Sequence, residues 1–459
     1  MDDPVFLSRL QFALTIMFHY LFPPLSIGLG LALVIMEGIW LKTGNDLYHR
    51  LAKFWTRIFG IIFSLGVATG IVMEFQFGTN WATYSRYVGD IFGSALAAEG
   101  IFAFFLESGF LALLLFGWDK VGKKMHFFAT LMVCLGAHFS AIWIIVANSW
   151  MQTPDGYKIV ETVLGPRAEM VNFYDVVLNP STISRLTHAI AGCWLGGATL
   201  VMSVSAWYLL KNRFRPFGEK GLKIGLAVAI IGCIAMIGTG DDSARGVAKN
   251  QPAKFAAMEG IFETTKDAPL HLGGIIHGPN NEFTGISFPG MLSLLTYGDR
   301  NAEVKGITDF PEDERPPVFP VFYSFHIMII VAGFLTLLCL LGGIGWWKGW
   351  AFKAKWFLWA CVFSVLAPQI ANQVGWAVAE LGRQPWIVYG MLRTKDAVSP
   401  TLTAGEGIAS LVMFGIIYIL LFALFIYQMT HKIHNGPDAA NSHDESSGHG
   451  RLQVPFIKE

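Results

Sequence analysis

The sequence PVFYSFHIMIIVAGFLTLLCLLGGIGW, residues 320–346, contains no Asp, Glu, Lys or Arg and decides the fold class. A helix needs about 20 mainly apolar residues to cross the hydrocarbon core of a bilayer. Lipid offers the backbone no hydrogen-bond partners, so such a run is helical. Together with eight similar segments, it predicts an all-α membrane protein, a bundle of nine transmembrane helices. The other segments are roughly 12–40, 54–73, 95–118, 126–147, 183–210, 222–240, 356–380 and 404–429.

Composition excludes several classes of protein. Of the 459 residues, 53% are hydrophobic and only 14% are charged, whereas a soluble protein carries about 25% charged residues. The 33 basic and 33 acidic residues balance, which argues against nucleic-acid binding. The five cysteines form no CxxC pair, so iron–sulfur clusters, zinc sites and covalently attached c-type haem are not expected. The chain also lacks a Walker A sequence and a credible GxSxG.

Basic residues in the short loops predict the orientation in the membrane. Positive charge accumulates on the cytoplasmic side, and here it follows the first, third, fifth and seventh segments. The N-terminus is therefore expected to face outward (periplasmic) and the C-terminus to be cytoplasmic. The residues that carry this signal are Lys42, Arg50, Lys53, Arg57, Lys120, Lys123, Lys124, Lys211, Arg213, Arg215, Lys220, Lys223, Lys348, Lys353 and Lys355.

The chain divides into four parts by hydropathy. Residues 1–240 hold helices one to six, and residues 321–430 hold helices seven to nine. Between them, 241–320 is a long outward loop, and loops of this length are usually functional or disordered. The polar tail 431–459 is expected to be disordered because it has few apolar residues to bury. The start, Met1-Asp2-Asp3, lacks the basic region of a signal peptide, so the first segment is expected to be retained.

Ionisable side chains inside spans are costly and are therefore functional candidates. Pro23 and Pro24 lack the N–H groups that the carbonyls of residues 19 and 20 need, so the helix is expected to bend beside His19. The alternative for His19 is a hydrogen-bonded core histidine. The full set of candidates is His19, Glu99, Glu107, His138, His188, His326 and Glu380.

His188 opens a stripe with Gly192 and Gly196, four residues apart on one helix face. Such a bare groove accepts either a neighbouring helix or a flat macrocycle, and the similar pair Gly66 and Gly70 fits simple helix packing. Met328 is a second candidate. A methionine on an apolar helix usually packs, but its thioether is also able to ligate a low-spin haem opposite an imidazole.

Two carboxyls occupy the third segment. In a regular helix Glu99 and Glu107 would lie roughly 12 Å apart along the axis and about 80° apart around it. They suggest a proton relay or partners of a cofactor's charge. Glu380 ends the eighth segment, where the alternative to a cofactor role is a local salt bridge with Arg383.

Several stretches resemble subunit I of the cytochrome bd family of quinol oxidases, and the resemblance runs from residue 1 to about 430. They are Ser8 to Thr15 leading to His19, Gly66 to Gly70, Met73 to Trp81, Glu99-Gly100, Phe104 to Ser108, Ser140 to Trp143, Asn148 with Trp150 to Gln152, Leu178 to Pro180, and Gly382 to Trp386.

The resemblance implies roles for individual residues. His188 and Met328 match the axial ligands of a low-spin haem b. His19 and Glu380 match those of two high-spin haems, one of b type and one a haem d or a third haem b in its place, and the resemblance does not assign either residue to one of the two. The other matches are Trp376 between the haems, Arg383 at the cofactor, Glu99, Glu107 and Ser140 in proton supply, and Lys254 and Glu259 at the quinol.

Three features depart from the family pattern. The loop 241–320 lacks an extra C-terminal insertion, which is typical of the short-loop, often cyanide-insensitive branch. His326 stands where an Arg is expected, and is a possible competing ligand near Met328. His138 replaces a neutral polar residue near Ser140, which makes the proton route less direct.

The resulting expectation is the haem-bearing subunit of a respiratory quinol:O2 oxidoreductase in a bacterial inner membrane. It would oxidise quinol at the outward loop and form water from O2 and cytoplasmic protons, without pumping. Expected partners are a second multi-helical subunit and a small single-span subunit. Two alternatives remain: a dihaem electron-transfer cytochrome that does not reduce O2, and a proton-coupled secondary transporter, although no inverted repeat is found.

Overall fold

The computed structural model describes residues 3–277 and 282–437. Within that part of the chain, nine spans are long and apolar enough to cross a membrane, which confirms the predicted fold class. They are Pro4–Thr43, Asp46–Thr79, Ala82–Phe116, Lys123–Gln152, Thr182–Leu210, Arg215–Asn250, Val318–Lys348, Lys355–Leu381 and Ala404–Asn435.

Fifteen α-helices in the described residues build these spans and their connections. In chain order they are α1 (Pro4–His19), α2 (Pro23–Thr43), α3 (Asp46–Thr79), α4 (Ala82–Glu99), α5 (Phe105–Phe116), α6 (Lys123–Gln152), α7 (Phe173–Val177), α8 (Thr182–Leu210), α9 (Arg215–Asn250), α10 (Pro252–Glu259), α11 (Met291–Tyr297), α12 (Val318–Lys348), α13 (Lys355–Phe363), α14 (Leu366–Leu381) and α15 (Ala404–Asn435).

Proline divides two of the spans. The first breaks after His19, where α1 ends and Pro23 begins α2, as the missing proline N–H predicts. The eighth span breaks at residues 364–365, between the end of α13 at Phe363 and the start of α14 at Leu366. Pro368 has no N–H for the carbonyl of Ser364, so the helix cannot run through that point unchanged. Each of these two spans therefore consists of two helices.

The third span departs from the expected regular helix. It begins at Ala82, well before residue 95, because the amphipathic stretch that follows Trp81 is less apolar than the segment the sequence identifies. A π-helical turn, Gly100–Phe104, then separates α4 from α5. The wider π turn changes the rotation between Glu99 and Glu107, so the predicted angle and spacing do not apply. Such turns often occur at functional sites.

Helices α2 and α8 pack in close backbone contact. A Cβ added at Gly28 would lie 2.6 Å from the backbone nitrogen of Gly197, so the two glycines let the helix backbones touch. In lipid, helices associate through such close packing and not through exclusion of water. Around this contact α2, α3 and α8 bury a large apolar cluster that includes Leu29, Trp55 and Val201.

In the part of the chain that the structure describes, the connections carry three two-stranded antiparallel sheets: β1 (Tyr157–Thr162) with β2 (Gly165–Met170), β3 (Leu270–His277) with β4 (Glu282–Phe288), and β5 (Trp386–Val388) with β6 (Leu392–Arg393). Helix α9 continues to Asn250, past the boundary at 240 that the sequence suggests, and turns at once into the buried α10. Helix α15 continues to Asn435 into the predicted tail, and residues 438–459 of that tail lie outside the described residues.

Candidate functional site

The break after α1 leaves the His19 imidazole against α3. Its Nδ1 lies 2.9 Å from the hydroxyl oxygen of Thr69. Its Nε2 has no hydrogen-bond partner among the described residues. Helix α14 also reaches this break, because the Trp376 ring packs edge-on against Tyr20 with 5.3 Å between the ring centroids. His19 is thus hydrogen-bonded through one nitrogen only, and the other is free to bind an iron.

His188 has a comparable environment on α8. Its Nδ1 lies 3.3 Å from the hydroxyl oxygen of Thr239 on α9, and its Nε2 likewise has no hydrogen-bond partner in the described part of the chain. Thr239 also lines an apolar cavity of about 420 Å³, bounded by residues of α6, α8 and α9. The hydroxyl partner of His188 therefore borders this cavity, whereas His188 itself is not among the residues that line it.

The glycine stripe beside His188 packs against helices. A Cβ on Gly192 would lie 2.7 Å from the amide oxygen of Asn372, and one on Gly196 would lie 3.3 Å from Pro24. Of the two uses that the sequence leaves open, helix packing is therefore the one observed.

Met328 on α12 faces α14, since a Cβ added at Gly375 would lie 3.3 Å from its sulfur. Helix α9 packs against both α8 and α12, so it connects the helices that carry His188 and Met328.

Glu380 is the centre of a buried polar network. It forms the predicted ion pair with Arg383 and accepts a hydrogen bond of 3.0 Å from the side chain of Asn148 on α6. Arg185, in the first turns of α8, donates in turn to the oxygen of Asn148. Three helices and the turn after α14 thus converge on one carboxylate.

The two guanidinium groups of this network still have unused donors. Three nitrogens are buried without a hydrogen-bond partner among the described residues: Nε of Arg185, and Nε and Nη1 of Arg383. Buried donors of this kind are normally satisfied, and two guanidinium groups side by side favour an anionic ligand such as a carboxylate. The predicted salt bridge between Glu380 and Arg383 therefore forms, but it leaves guanidinium N–H groups available to bind a ligand.

Lys254 joins the loop 241–320 to this network. The residue is 2% exposed, and its Nζ donates to the side chains of Gln152 and Gln251, at 3.0 and 3.2 Å, and to the carbonyl of Ala379, at 3.0 Å. Burial, with the nearby Arg185 charge, lowers the pKa of Lys254 well below its ordinary value. All three ammonium donors are used within the protein.

Glu259 ends α10 and is also buried, with 3% of its surface exposed. One of its carboxylate oxygens, Oε2, has no hydrogen-bond partner within residues 3–277 and 282–437. Burial raises the pKa of Glu259 to about 8, because removal from water disfavours the charged form. The carboxyl therefore holds its proton at neutral pH and loses it just above.

Both carboxyls of the third span contact α6. The hydroxyl of Ser140 donates to Glu99 at 2.5 Å, and the side chain of Glu107 covers Gly136 so closely that a Cβ there would collide with it. Positions 136 and 140 are four residues, or about 6 Å, apart on one face of α6. The π turn thus aligns the two carboxyls along a single helix face.

The two histidines that depart from the family pattern have both nitrogens occupied. His138 pairs Nδ1 with the carbonyl of Cys134 at 2.7 Å and accepts from the indole N–H of Trp194 at 3.0 Å. His326 lies 2.9 Å from the carbonyl of Phe322 through Nδ1 and 2.9 Å from that of His271 through Nε2. His138 therefore has no nitrogen left for an iron. A neutral imidazole carries one N–H, so His326 donates to only one of its two carbonyl neighbours, and its role as a competing ligand stays a prediction.

Sequence reasoning missed the roles of three residues of the site, Arg185, Thr69 and Thr239, and did not identify Asn148 as the partner of Glu380. One signal was available for Arg185, because an arginine three residues before His188 in a predicted span is costly unless paired. The threonines give no such signal, since a threonine in a helix commonly bonds its own backbone.

The donor set fits haem. In the described residues, no group of three or more His, Cys, Asp or Glu side chains could hold a metal ion together, so each predicted iron ligand stands without a chelating cluster. A haem needs only one or two axial ligands from the protein, and its propionates need cationic donors. The free Nε2 atoms of His19 and His188 and the unused donors of Arg185 and Arg383 match these two needs.

Comparison with known proteins gives consistent results. The family model for cytochrome bd terminal oxidase subunit I matches residues 7–437. The chain is 38% identical to "Cytochrome bd ubiquinol oxidase subunit 1" of Bacillus subtilis, over 95% of both chains. It is 35% identical to "Cytochrome bd-II ubiquinol oxidase subunit 1" of Escherichia coli, over 98% of this chain and all of that one. A solved bd oxidase from Geobacillus thermodenitrificans superposes with a TM-score of 0.88 at 30% identity, covering 95% of this chain and 100% of that chain.

Proposed function

The chain belongs to the cytochrome bd terminal oxidase subunit I family, and from that premise we propose how its own residues bind quinol, hold haem and move protons. It is a multi-pass bacterial membrane protein and a subunit of a quinol-oxidising terminal oxidase. The curated relatives are named for ubiquinol in two cases and for menaquinol in a third.

Four side chains would bind haem iron: His188 and Met328 a low-spin haem b, and His19 and Glu380 a high-spin haem b and a haem d, or a third haem b in place of haem d. When bound, these groups supply one-electron transfer and, at an open iron position, O2 binding. Arg185 and Arg383 would hold propionates with their unused donors. Trp376 of α14, which packs against Tyr20 at the His19 break, would lie between the haems.

Quinol oxidation is assigned to the outward loop. Glu259 would accept the proton of a quinol hydroxyl as a general base, and its burial keeps competing water away from that carboxyl. Lys254 would act by position, because its three donors already fasten α10 to the end of α14. The contact that carries the proposal is Lys254 Nζ with the carbonyl of Ala379, the residue before Glu380. It ties the quinol loop to a haem ligand.

Protons for water formation would come from the cytoplasmic side through Glu107, Glu99 and Ser140. The support is the alignment of both carboxyls on α6 and the 2.5 Å hydrogen bond between Ser140 and Glu99. Uptake on the inner side and release from Glu259 on the outer side would separate charge without a pump. This scheme requires the outward N-terminus that the basic loops predict.

A second multi-helical subunit and a small single-span subunit would complete the complex. Helix α15 offers a surface for one of them, or for lipid, because most of its apolar side chains lie outside the core. Its exposed residues include Ile408, Val412, Met413, Ile416, Ile419, Leu420 and Phe422.

A reduced-minus-oxidised visible spectrum of the purified complex, repeated with CO, tests the proposal. We expect b-type bands, a red chlorin band and a CO shift. Bands of b type alone with a CO shift would mean a third haem b in place of haem d. No CO shift would favour the electron-transfer cytochrome, and absence of haem would favour the transporter.

A further inference from the structure

The proton on the His19 imidazole can be assigned from its partner. The hydroxyl of Thr69 donates its only hydrogen to carbonyls of its own helix, to Leu65 at 2.7 Å and more weakly to Gly66 at 3.1 Å. Toward His19, 2.9 Å away, the Thr69 oxygen therefore acts as the acceptor. The proton must lie on Nδ1, and a neutral imidazole then has a bare lone pair on Nε2.

His188 repeats this arrangement on different helices. The hydroxyl of Thr239 donates to the carbonyl of Ala235 at 2.8 Å, so its oxygen accepts from Nδ1 of His188 at 3.3 Å. Again the lone pair is left on Nε2, the nitrogen that we assign to iron.

A glycine follows the threonine in both places, so each imidazole rests on a Thr-Gly pair. A Cβ on Gly70 would lie 3.3 Å from Cε1 of His19, and one on Gly240 would lie 3.6 Å from Cε1 of His188. The first distance is tighter than an ordinary contact and the second is ordinary. A side chain in place of the glycine would therefore press on the imidazole at His19, whereas at His188 it would make an ordinary contact.

The other buried histidines of the spans do not hydrogen-bond to a threonine hydroxyl. His126 pairs with the carboxylate of Glu37 at 2.6 Å, and His138 and His326 use backbone carbonyls. Helical hydroxyls therefore serve the two proposed iron ligands selectively, which is the pattern of groups that orient metal-binding imidazoles from behind.

We propose that Thr69 and Thr239 are positioning residues that hold His19 and His188 in the Nδ1–H tautomer and so aim each Nε2 at a haem iron. The inference rests on the proposed haem ligation by these histidines. A hydrogen bond to Nδ1–H also makes the imidazole a stronger donor to iron and stabilises the ferric state. Each threonine thus sets both the geometry and the potential of its haem.

Thr239→Val and Thr239→Ser in the purified complex test the proposal. Valine keeps the shape and removes the acceptor, whereas serine keeps the acceptor. We expect the valine variant to show a higher midpoint potential of the low-spin haem and a loss of haem to a scavenging apoprotein at least about tenfold faster. The serine variant should match the wild type. Equal potentials in wild type and valine variant would overturn the proposal, because packing alone is preserved by valine.

His188→Ala separates this failure from failure of the ligand assignment. If that variant keeps the low-spin spectrum, His188 is not an axial ligand and the proposed function is wrong at this site. If it loses the spectrum while Thr239→Val behaves as wild type, only the tautomer proposal fails.

The His19 site gives an independent second test, which also serves if Thr239→Val does not assemble. Thr69→Val should alter the CO-difference spectrum of the high-spin haem, and Thr69→Ser should not. Gly70→Ala should displace His19 and alter that spectrum, whereas Gly240→Ala should leave the low-spin haem unchanged. A wild-type CO spectrum in both Thr69→Val and Gly70→Ala would refute the arrangement at His19.

Discussion

Replacing Glu259 by Gln is expected to slow quinol oxidation and to remove most of its pH dependence. The carboxyl is buried and has a pKa raised to about 8. A rise from the ordinary 4.5 to about 8 corresponds to about 5 kcal/mol against the ionised form. The wild type therefore contains little of the base that accepts the quinol proton at neutral pH.

The expected profile follows from that pKa. About 1% of Glu259 is ionised at pH 6, about 10% at pH 7 and about 90% at pH 9. The kcat/KM for quinol should rise about tenfold per pH unit below pH 8 and level off above it. In Glu259→Gln the amide neither titrates nor accepts the proton, so the activity should be low and the profile nearly flat.

The assay is steady-state quinol oxidation by the purified complex from pH 6 to 9, with CO binding to the reduced enzyme as a check on the haems. Glu263→Gln is the matched control, because it makes the same change at an exposed carboxyl of the same loop. Lys254→Met should lower activity but keep the slope, since Glu259 still titrates. A wild-type slope in Glu259→Gln would refute the assignment of Glu259 as the base.

Three further outcomes are expected. Met328→Leu should abolish the low-spin spectrum and leave CO-reactive haem, and an unchanged spectrum would exclude the thioether as a ligand. Gly136→Ala should push the Glu107 side chain off α6 and slow O2 reduction more than CO binding, as stopped-flow measurements would show; equal effects would indicate general damage. Glu37→Ala should lower the free energy of unfolding by about 1–3 kcal/mol, because it removes the buried partner of His126; an unchanged thermal midpoint in detergent would contradict this.

The sequence by itself determined the nine spans and one of their breaks. Hydrophobic length is a local property, so each apolar run identified a helix without reference to its neighbours. The break at His19 was equally local, because Pro23 removes a specific backbone donor. The ends of the spans were predicted less exactly. Helix α9 continues to Asn250. The third span begins at Ala82, because its first residues are too polar to be identified by hydropathy.

Only the tertiary structure decided which side chains meet. The ion pair of Glu380 with Arg383 is local, three residues along the chain, and the sequence predicts it. The approach of Asn148 and Arg185 to Glu380 depends on the rotation of three helices, which no spacing along the chain encodes. The π turn before α5 also changed a prediction, because one wider turn brings Glu99 and Glu107 onto one face of α6.

The two threonines illustrate the same limit. In sequence, Thr69 and Thr239 are ordinary helical residues that bond their own backbones. Their proposed role as hydrogen-bond partners of an imidazole can be recognised only in the folded chain, where a histidine of another helix lies within hydrogen-bond distance. Sequence determines where each helix runs because hydrophobicity acts residue by residue. Tertiary structure decides the tautomer of an imidazole because a hydrogen bond needs two groups at one place.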